Sequence, residues 1–331
     1  MQNLKISIVI PVYNVAPYIS ECIQSVMNQT WQGALECILV DDCGSDNSMA
    51  IVEELLQKYA GSIVFQILHH DRNRGLSAAR NTGMDASTGD YVFFLDSDDE
   101  LTSDCLEHLV KPLCEDQSFD LVIGDYRIIG SDMSKPPLYL QDGCSLYGND
   151  VLHSYRKGEW YMLSVNKLYR VGFLRSNHLH FFEGIIHEDE LWSFQVACLA
   201  KSIYARDCET YLYKVRAGSI TANRNHQHRC DSIKIIVREM ENFSIAHQLE
   251  DNKDVYNLIQ NFMMIMLYSF NIESPDMFRR FYTELRQIGS RTWKDCFMMD
   301  GCDIRKQFRD LHLFMPITLA IHYLKMLFCF L

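Results

Sequence analysis

Short apolar runs alternate with helical periodicities along the first part of the chain. The apolar runs have the length of buried strands, and they lie at 6–10, 36–40, 62–68 and 91–95. The stretches between them are mostly polar with apolar residues at helical spacing, and they cover 16–29, 47–59 and 75–86. This alternation predicts an α/β fold with a mostly parallel sheet and helices on both of its faces.

Polar residues follow three of these strands directly. Tyr13 follows the first, Asp41 and Asp42 end the second, and the fourth ends in D-S-D-D at 96–99. Ligands of such sheets bind beyond the carboxyl ends of the strands, so we expect the chemistry to gather at this edge. Carboxylates this close together repel each other unless a cation or a donor-rich ligand is bound. A divalent metal that holds the phosphates of a nucleotide would explain the cluster.

The pattern becomes less regular after residue 119 and turns helical after about residue 226. We therefore predict two parts, an α/β domain at 1–220 and a C-terminal helical region at 221–331.

The last segment, 311–331, is strongly apolar. It is interrupted by polar or helix-breaking residues, namely His312, Pro316, His322 and Lys325. These interruptions make it a poor membrane-spanning helix. It ends a region, 279–331, that has nine basic and five acidic residues. A basic region with an apolar helix indicates peripheral contact with a membrane surface, and a core or oligomer-interface helix is the alternative.

Composition narrows the classes of function. The chain has 331 residues and a net charge of −12, which argues against a nucleic-acid partner because phosphate backbones bind basic surfaces. Its twelve cysteines show no C-x-x-C spacing, so reduced thiols are expected. His69 and His70 lack a partner cluster at metal-binding spacing and are predicted to be exposed. The first apolar run is too short for a signal peptide, which predicts a cytoplasmic location.

Four motifs together resemble the family 2 glycosyltransferases of the GT-A fold. They are S-I-V-I-P-V-Y-N at 7–14, V-D-D-C-G-S-D-N-S at 40–48, N-R-G-L-S-A-A-R-N at 73–81 and G-D-Y-V-F-F-L-D-S-D-D at 89–99. The resemblance is firm to residue 110 and looser to residue 220. It implies that 1–220 is a Rossmann-like GT-A catalytic domain.

The resemblance also implies roles on the donor side. Asp98 would bind Mn²⁺ or Mg²⁺, and Asp96 would face the metal or the donor ribose, with Asp99 in support. The other residues are expected to bind the nucleotide of a UDP-sugar: Pro11 and Tyr13 would cradle uracil, Asp42 would accept its N–H, and Arg74 and Arg80 would contact the diphosphate. Thymine would fit the same contacts, Asp41 is either a second contact or a turn residue, and Arg80 is alternatively a salt-bridge partner within the fold.

A second set of residues is implied for the acceptor side. H-E-D-E-L-W at 187–192 resembles the family's E-D motif at the start of a helix. Asp189 would then be the catalytic base and Glu188 would support it or bind the acceptor, although acidic residues also favour any helix start. N-K-L-Y-R at 166–170 and the segment 213–220 resemble further family elements. Lys167 or Arg216 would then be an acceptor or lid residue that contacts the donor diphosphate when the loop orders over the substrate.

The expected function is therefore a metal-dependent, inverting hexosyl transfer from a UDP-sugar. The acceptor would be a glycan or a lipid-linked carrier in surface polysaccharide biosynthesis, at the inner face of the cytoplasmic membrane. A Q-x-x-R-W sequence is absent, which favours transfer of a single sugar over processive synthesis. Two alternatives remain: a nucleotidyltransferase on a similar scaffold, and an inactive protein that binds nucleotide sugars.

Overall fold

The computed structural model describes most of the chain. The described residues are 4–114, 118–131, 135, 138–215, 226–273, 275–288, 296, 298–299 and 303–329. The chain divides into two compact units, which are Met1–Gly184 with Glu188–Asn223, and Ile185–His187 with Arg224–Leu331.

The first unit is an α/β structure. Its strands are β1 (Lys5–Val12), β2 (Ala34–Asp41), β3 (Val64–His69), β4 (Tyr91–Phe94), β5 (Glu100–Leu101), β6 (Leu121–Ile129), β7 (Ser145–Tyr147), β8 (Lys167–Arg170) and β9 (Ser202–Lys214). Its helices are α1 (Ile19–Met27), α2 (Ser48–Lys58), α3 (Leu76–Ala86), α4 (Cys105–Val110), α5 (Asn149–Arg156), α6 (Val171–Ser176) and α7 (Glu188–Leu199).

One sheet connects these strands in the order β3-β2-β1-β4-β8-β6-β9-β5, and β7 pairs with β9. The pairs β1–β2, β1–β4 and β2–β3 are parallel, which confirms the predicted α/β architecture. Beyond β4 the sheet is mixed, because β8 runs antiparallel to both β4 and β6. The sequence pattern does not predict this mixed half, because it shows strand-like runs there only at 121–123 and 210–215.

The centre of the sheet forms the core of this unit. Ile8, Val9 and Ile10 of β1 are fully buried, since β1 lies between two strands with helices against it. Helix α3 approaches β1 closely at Gly83, where an added Cβ would lie 2.3 Å from Cγ1 of Val9. Glycine at this position therefore allows the helix to lie directly on the strand.

The second unit is helical within the described residues. Its helices are α8 (His226–Ala246), α9 (Lys253–Glu273), α10 (Pro275–Leu285), α11 (Ile304–Asp310) and α12 (Ile317–Phe328), and a 3₁₀ turn covers Leu311–Phe314. Buried polar pairs link its helices, as where the Tyr256 hydroxyl donates to Oδ2 of Asp310 at 2.6 Å.

The apolar segment at 311–331 is not one continuous helix. The 3₁₀ turn and α12 are separated at Pro316, which has an extended ψ of 142° and cannot continue a preceding helix. One face of α12, with Ala320, Leu324 and Phe328, is buried in its own unit. Among the residues described here, every helix is too short or too polar to cross a bilayer.

Candidate active site

The carboxyl ends of β1, β2 and β4 are neighbours because the three strands pair in parallel. Val12 is in register with Asp41, and the backbone N–H of Asp42 donates to the Val12 carbonyl at 3.0 Å. Pro11 is buried in β1, whereas the Tyr13 ring that follows is exposed. The Tyr13 ring is thus available to stack on a flat ligand at this edge, whereas Pro11 is part of the buried strand beneath it.

The loops after β1 and β2 hold each other in place. Oδ1 of Asn14 accepts from the Ser45 N–H at 2.8 Å, and Oδ2 of Asp46 accepts from the Ala16 N–H at 2.8 Å. Asn14 has a φ of 52°, in the left-handed region that asparagine tolerates better than most residues. These contacts fix the backbone beside Tyr13 before any ligand binds.

Asp42 is buried and its carboxylate is already held by donors. Oδ1 accepts from the Arg74 N–H at 2.8 Å, and Oδ2 accepts from the Gly75 N–H at 2.8 Å. Gly75 has a φ of 90°, so the turn that aims these amides at Asp42 favours glycine. A carboxylate has about four lone-pair positions, which leaves room for one further donor such as a base N–H.

The prediction that His69 and His70 are both exposed is wrong for His70. The His69 side chain is 58% exposed, but that of His70 is 4% exposed. Nδ1 of His70 lies 2.6 Å from Oδ1 of Asp42, and its Nε2 lies 2.9 Å from Oγ1 of Thr82 on α3. His70 follows β3 at the same sheet edge as Asp42, and it therefore orients that carboxylate.

Arg74 lies at the surface before α3. Its Nη2 donates to Oε1 of Glu183 at 3.3 Å, and both side chains are partly exposed to solvent. An exposed ion pair of this kind is weak, so the guanidinium can exchange Glu183 for a phosphate at little cost.

Arg80 is buried, and its guanidinium joins three carboxylates. Nη2 donates to Oδ1 of Asp96 at 2.7 Å, and Nη1 donates to Oε1 of Glu188 at 3.0 Å and to Oδ1 of Asp189 at 3.2 Å. These carboxylates raise the pKa of Arg80 and keep it charged despite its burial. The expected contact between Arg80 and the donor diphosphate is corrected here, because both terminal nitrogens already bind carboxylates. The alternative, a salt-bridge partner within the fold, describes the observed arrangement.

The acidic segment after β4 divides into exposed and buried carboxylates. Asp96 and Asp98 are partly exposed, whereas Asp99 is buried. Oδ2 of Asp99 accepts from the Tyr211 hydroxyl at 2.7 Å, and Oδ1 accepts from the Lys214 N–H at 2.7 Å. Burial, together with the charges of Asp96 and Asp98, raises the pKa of Asp99 to about 8.

Tyr211 connects this segment to β9. Its hydroxyl donates to Asp99 and also accepts from the backbone N–H of Asp96 at 3.3 Å. Tyr211 is fully buried, so both contacts are shielded from water. The turn that presents Asp96 and Asp98 is therefore fixed to β9 through the Tyr211 hydroxyl as well as the Lys214 N–H.

Glu188 and Asp189 begin α7, where the helix dipole favours acidic residues. The backbone just before them is unusual, since His187 has a φ of 64°. Burial, with the charge of Asp189, raises the pKa of Glu188 above its usual range. Glu188 and Asp189 are both only partly exposed to solvent.

Aromatic rings anchor the start of α7 beside Arg80. Trp192, one turn into the helix, stacks on Phe181 with ring centroids 4.0 Å apart and meets the edge of Phe94 at 6.0 Å. The Arg80 guanidinium lies 5.2 Å from the centroid of the Phe181 ring. The cation and the helix that carries Asp189 thus share one rigid support.

The prediction for Lys167 as an acceptor or lid residue is wrong. Lys167 begins β8 and is fully buried, with its ammonium donating to the carbonyls of Tyr161, at 3.0 Å, and of Leu163. The same ammonium lies 4.1 Å from the centroid of the Tyr161 ring. Burial lowers its pKa, while the negative charge of Asp189 opposes that shift. The ammonium of Lys167 is therefore held inside the fold, and it interacts with Asp189 through charge and not through a hydrogen bond. Arg216, the other predicted lid residue, lies outside the described residues.

No group of three metal-ligating side chains is preformed among the described residues. Asp96 and Asp98 nonetheless provide two partly exposed carboxylates at a strand end. Such a donor set fits a magnesium-type ion, which is commonly held by one or two carboxylates together with substrate phosphates.

Comparison with known proteins adds independent evidence. A family model described as glycosyl transferase family 2 matches residues 7–180. The glycosyltransferase GlyG of Streptococcus pneumoniae serotype 4 is 30% identical over 225 residues, which cover 65% of this chain and 72% of GlyG. TarP of Staphylococcus aureus, a poly(ribitol-phosphate) beta-N-acetylglucosaminyltransferase, is 31% identical over 211 residues, covering 63% of this chain and 62% of TarP. The crystal structure of S. aureus TarS in complex with UDP-GlcNAc shares the fold, with a TM-score of 0.68 and 18% identity over 97% of this chain and 88% of that one.

Proposed function

Because this chain belongs to glycosyl transferase family 2, we propose that it transfers one hexosyl unit from a UDP-sugar to a hydroxyl group with inversion at the anomeric carbon. The observation that carries the proposal is the ion-pair cluster of Arg80. It joins Asp96, at the end of β4, to Asp189, at the start of α7. One guanidinium thus holds together a carboxylate suited to the donor and a carboxylate suited to the acceptor.

Uracil is the proposed base of the donor. The exposed Tyr13 ring offers a stacking surface, and Asp42 has a free acceptor position for an N–H group. The solved TarS structures are described as complexes with UDP and with UDP-GlcNAc, and this chain shares their fold. These observations support a UDP-sugar, with UDP-GlcNAc as the first donor to test.

Asp98 and Asp96 are the proposed ligands of Mn²⁺ or Mg²⁺. The cation, when bound, would neutralise the negative charge that develops on the departing UDP. Arg74 is the proposed cationic side chain for the diphosphate, since its surface ion pair with Glu183 is easily exchanged.

Asp189 is the proposed general base. It would take the proton of the acceptor hydroxyl while that oxygen forms a bond to the anomeric carbon and the bond to the UDP oxygen breaks with its electron pair. Arg80 contacts Oδ1 of Asp189 and holds the carboxylate in a fixed orientation. Its second oxygen is the proposed proton acceptor.

The proposed acceptor is a glycan or a lipid-linked carrier of surface polysaccharide biosynthesis. The name of TarP gives poly(ribitol-phosphate) as its acceptor, which supports a polymeric acceptor for this chain. The nucleotidyltransferase alternative has no support from the family match. The alternative of an inactive binding protein is disfavoured by the intact carboxylates Asp96, Asp98 and Asp189.

A donor screen tests the proposal. The full chain is incubated with Mn²⁺ and UDP-GlcNAc, UDP-glucose or UDP-galactose, with and without a bacterial cell-surface glycan extract. We expect release of UDP, not pyrophosphate, and loss of that release in excess chelator. Asp189→Asn should lower the transfer rate by about 10²- to 10⁴-fold, while the Kd for UDP stays within about twofold. Release of pyrophosphate, full activity in chelator, or an equally large loss of UDP affinity would each contradict a part of the proposal.

A further inference from the structure

The C-terminal helices carry exposed apolar side chains that are unusual for a surface. On α11, Ile304 is 63% exposed and Phe308 is 53% exposed. On α12, Leu319 is 56% exposed and Met326 is 55% exposed. Large exposed apolar side chains that cluster in this way mark interaction sites.

These side chains lie on two helices that a hydrogen bond joins. Leu319, Tyr323 and Met326 are neighbours along α12 at helical spacing. The Tyr323 hydroxyl donates to the Phe308 carbonyl at 2.6 Å, which places α12 directly beside α11. Ile304 precedes Phe308 by one helical turn. We call this surface, made of Ile304, Phe308, Leu319, Tyr323 and Met326, the apolar strip.

Basic residues outnumber acidic ones around the apolar strip, since 303–329 holds four basic and two acidic residues, with Asp303 paired to Lys306 and Asp310 to Arg309. Arg305 on α11 and Lys325 on α12 are exposed, and within the described residues neither forms an ion pair. No acidic residue occurs in 311–331. The whole chain has a net charge of −12, so this basic surround is a local departure from an acidic molecule.

We propose that the apolar strip and its basic surround dock the protein on a bilayer of anionic lipids. Apolar side chains of this size would enter the boundary between headgroups and acyl chains, and Arg305 and Lys325 would meet lipid phosphates. The opposite face of α12 is buried in its own unit, so the helix lies on the surface of the bilayer and does not span it. This proposal is independent of the transfer reaction.

Vesicle flotation of the full chain tests the proposal. The probes are vesicles of equal parts phosphatidylglycerol and phosphatidylcholine, and vesicles of phosphatidylcholine alone. We expect flotation with the anionic vesicles, release at high salt, and little flotation with the neutral ones. Phe308→Glu and Leu319→Glu should each lower the bound fraction about tenfold. Arg305→Gln and Lys325→Gln should each lower it about fivefold.

Matched controls separate docking from folding and from catalysis. Val64→Glu introduces the same charge at a side chain that is 63% exposed on β3, and it should leave flotation unchanged. Point variants are preferred to deletion of 311–331, because deletion would remove the buried residues Leu324 and Phe328 from the core. Melting temperature and UDP release without lipid should match the unmodified chain in every variant.

Three outcomes would overturn the proposal. The first is that the unmodified chain does not float with anionic vesicles, and the second is that it floats equally well with neutral vesicles. The third is that Phe308→Glu and Leu319→Glu float to the same extent as the unmodified chain. Sedimentation tests the alternative that a second copy of the chain covers the apolar strip. If the chain is a dimer that Leu319→Glu dissociates, and no form binds vesicles, the apolar strip is an interface between copies.

Discussion

Arg80 carries one positive charge against three carboxylates in a largely buried cluster. Its partners are Asp96, Glu188 and Asp189, and Lys167 adds a second internal cation that acts on Asp189 electrostatically. A buried ion pair often contributes little net stability, so such clusters are better explained by the geometry that they fix. The cluster keeps a shortage of positive charge, which a metal ion or the acceptor proton would relieve.

Tyr211→Phe tests how the metal-binding segment is positioned. Removing the hydroxyl leaves the Asp96 N–H and one oxygen of the buried Asp99 without their partner. We expect a loss of about 1–3 kcal/mol in the free energy of unfolding. We also expect a higher Mn²⁺ concentration for half-maximal UDP binding, measured by calorimetry.

Tyr204→Phe is the matched control, since Tyr204 lies on the same strand, packs against Phe119, and among the described residues no hydrogen bond of its hydroxyl is found. A purely structural role of Tyr211 would lower stability and leave the Mn²⁺ dependence of UDP binding unchanged. That result would contradict the assignment of Tyr211 as a positioning residue.

At the scale of elements, the contact between α3 and β1 sets the position of Arg80. Gly83→Ala would bring a methyl group within 2.3 Å of Cγ1 of Val9. We expect the free energy of unfolding to fall by about 1–3 kcal/mol despite the better helix propensity of alanine. UDP release should fall as well, because displacement of α3 moves Arg80 relative to Asp96. Denaturant titration and the UDP assay measure the two effects.

A second substitution and a control make this prediction specific. Val9→Ala in the Gly83→Ala background should recover part of the lost stability, since it makes room for the new methyl group. Gly172→Ala on α6 is the control, where the added Cβ would meet only the end of the Arg170 side chain at 3.2 Å. Equal losses at Gly83 and Gly172 would show that the close approach to β1 is unimportant.

The same elements show how far the sequence predicts the structure. The parallel half of the sheet was predictable because β1, β2 and β4 are apolar runs separated by periodic helices. The mixed half was not, since β8 has four residues and is specified by pairing with β4 and β6, not by its own pattern. Tyr211 and His70 were missed for a related reason. Their partners, Asp99 and Asp42, are distant in sequence, and only the strand order brings them together. The one available signal was that His70 directly follows β3 at the same edge as Asp42.

At the scale of the whole molecule, the two units differ in the chemistry that they present. Every described residue with a proposed role in transfer belongs to the first unit, and the apolar strip belongs to the second. Each unit also has a titratable group with a shifted pKa, the partly buried Glu190 on α7 in the first and the buried His312 in the second. Burial, with the charge of Asp189, raises the pKa of Glu190 to about 7. Burial lowers the pKa of His312 to about 4.

These opposite shifts predict opposite pH dependences over nearly the same range, between about pH 4 and pH 7. The folded state favours protonated Glu190, so its contribution is full below the ordinary pKa of about 4.5 and is lost as the pH rises through 7. The folded state favours neutral His312, so its contribution is full above about 6.5 and is lost as the pH falls through 4. Each shift is worth about 3 kcal/mol at most. We expect Glu190→Gln to remove a decline in unfolding free energy as the pH rises from 4.5 to 7, and His312→Asn to remove a decline as the pH falls from 6.5 to 4. Urea titrations across this range measure the unfolding free energy of both variants. A variant that lacks the titrating group cannot keep its pH dependence, so a curve parallel to that of the unmodified chain would refute the assignment of that group.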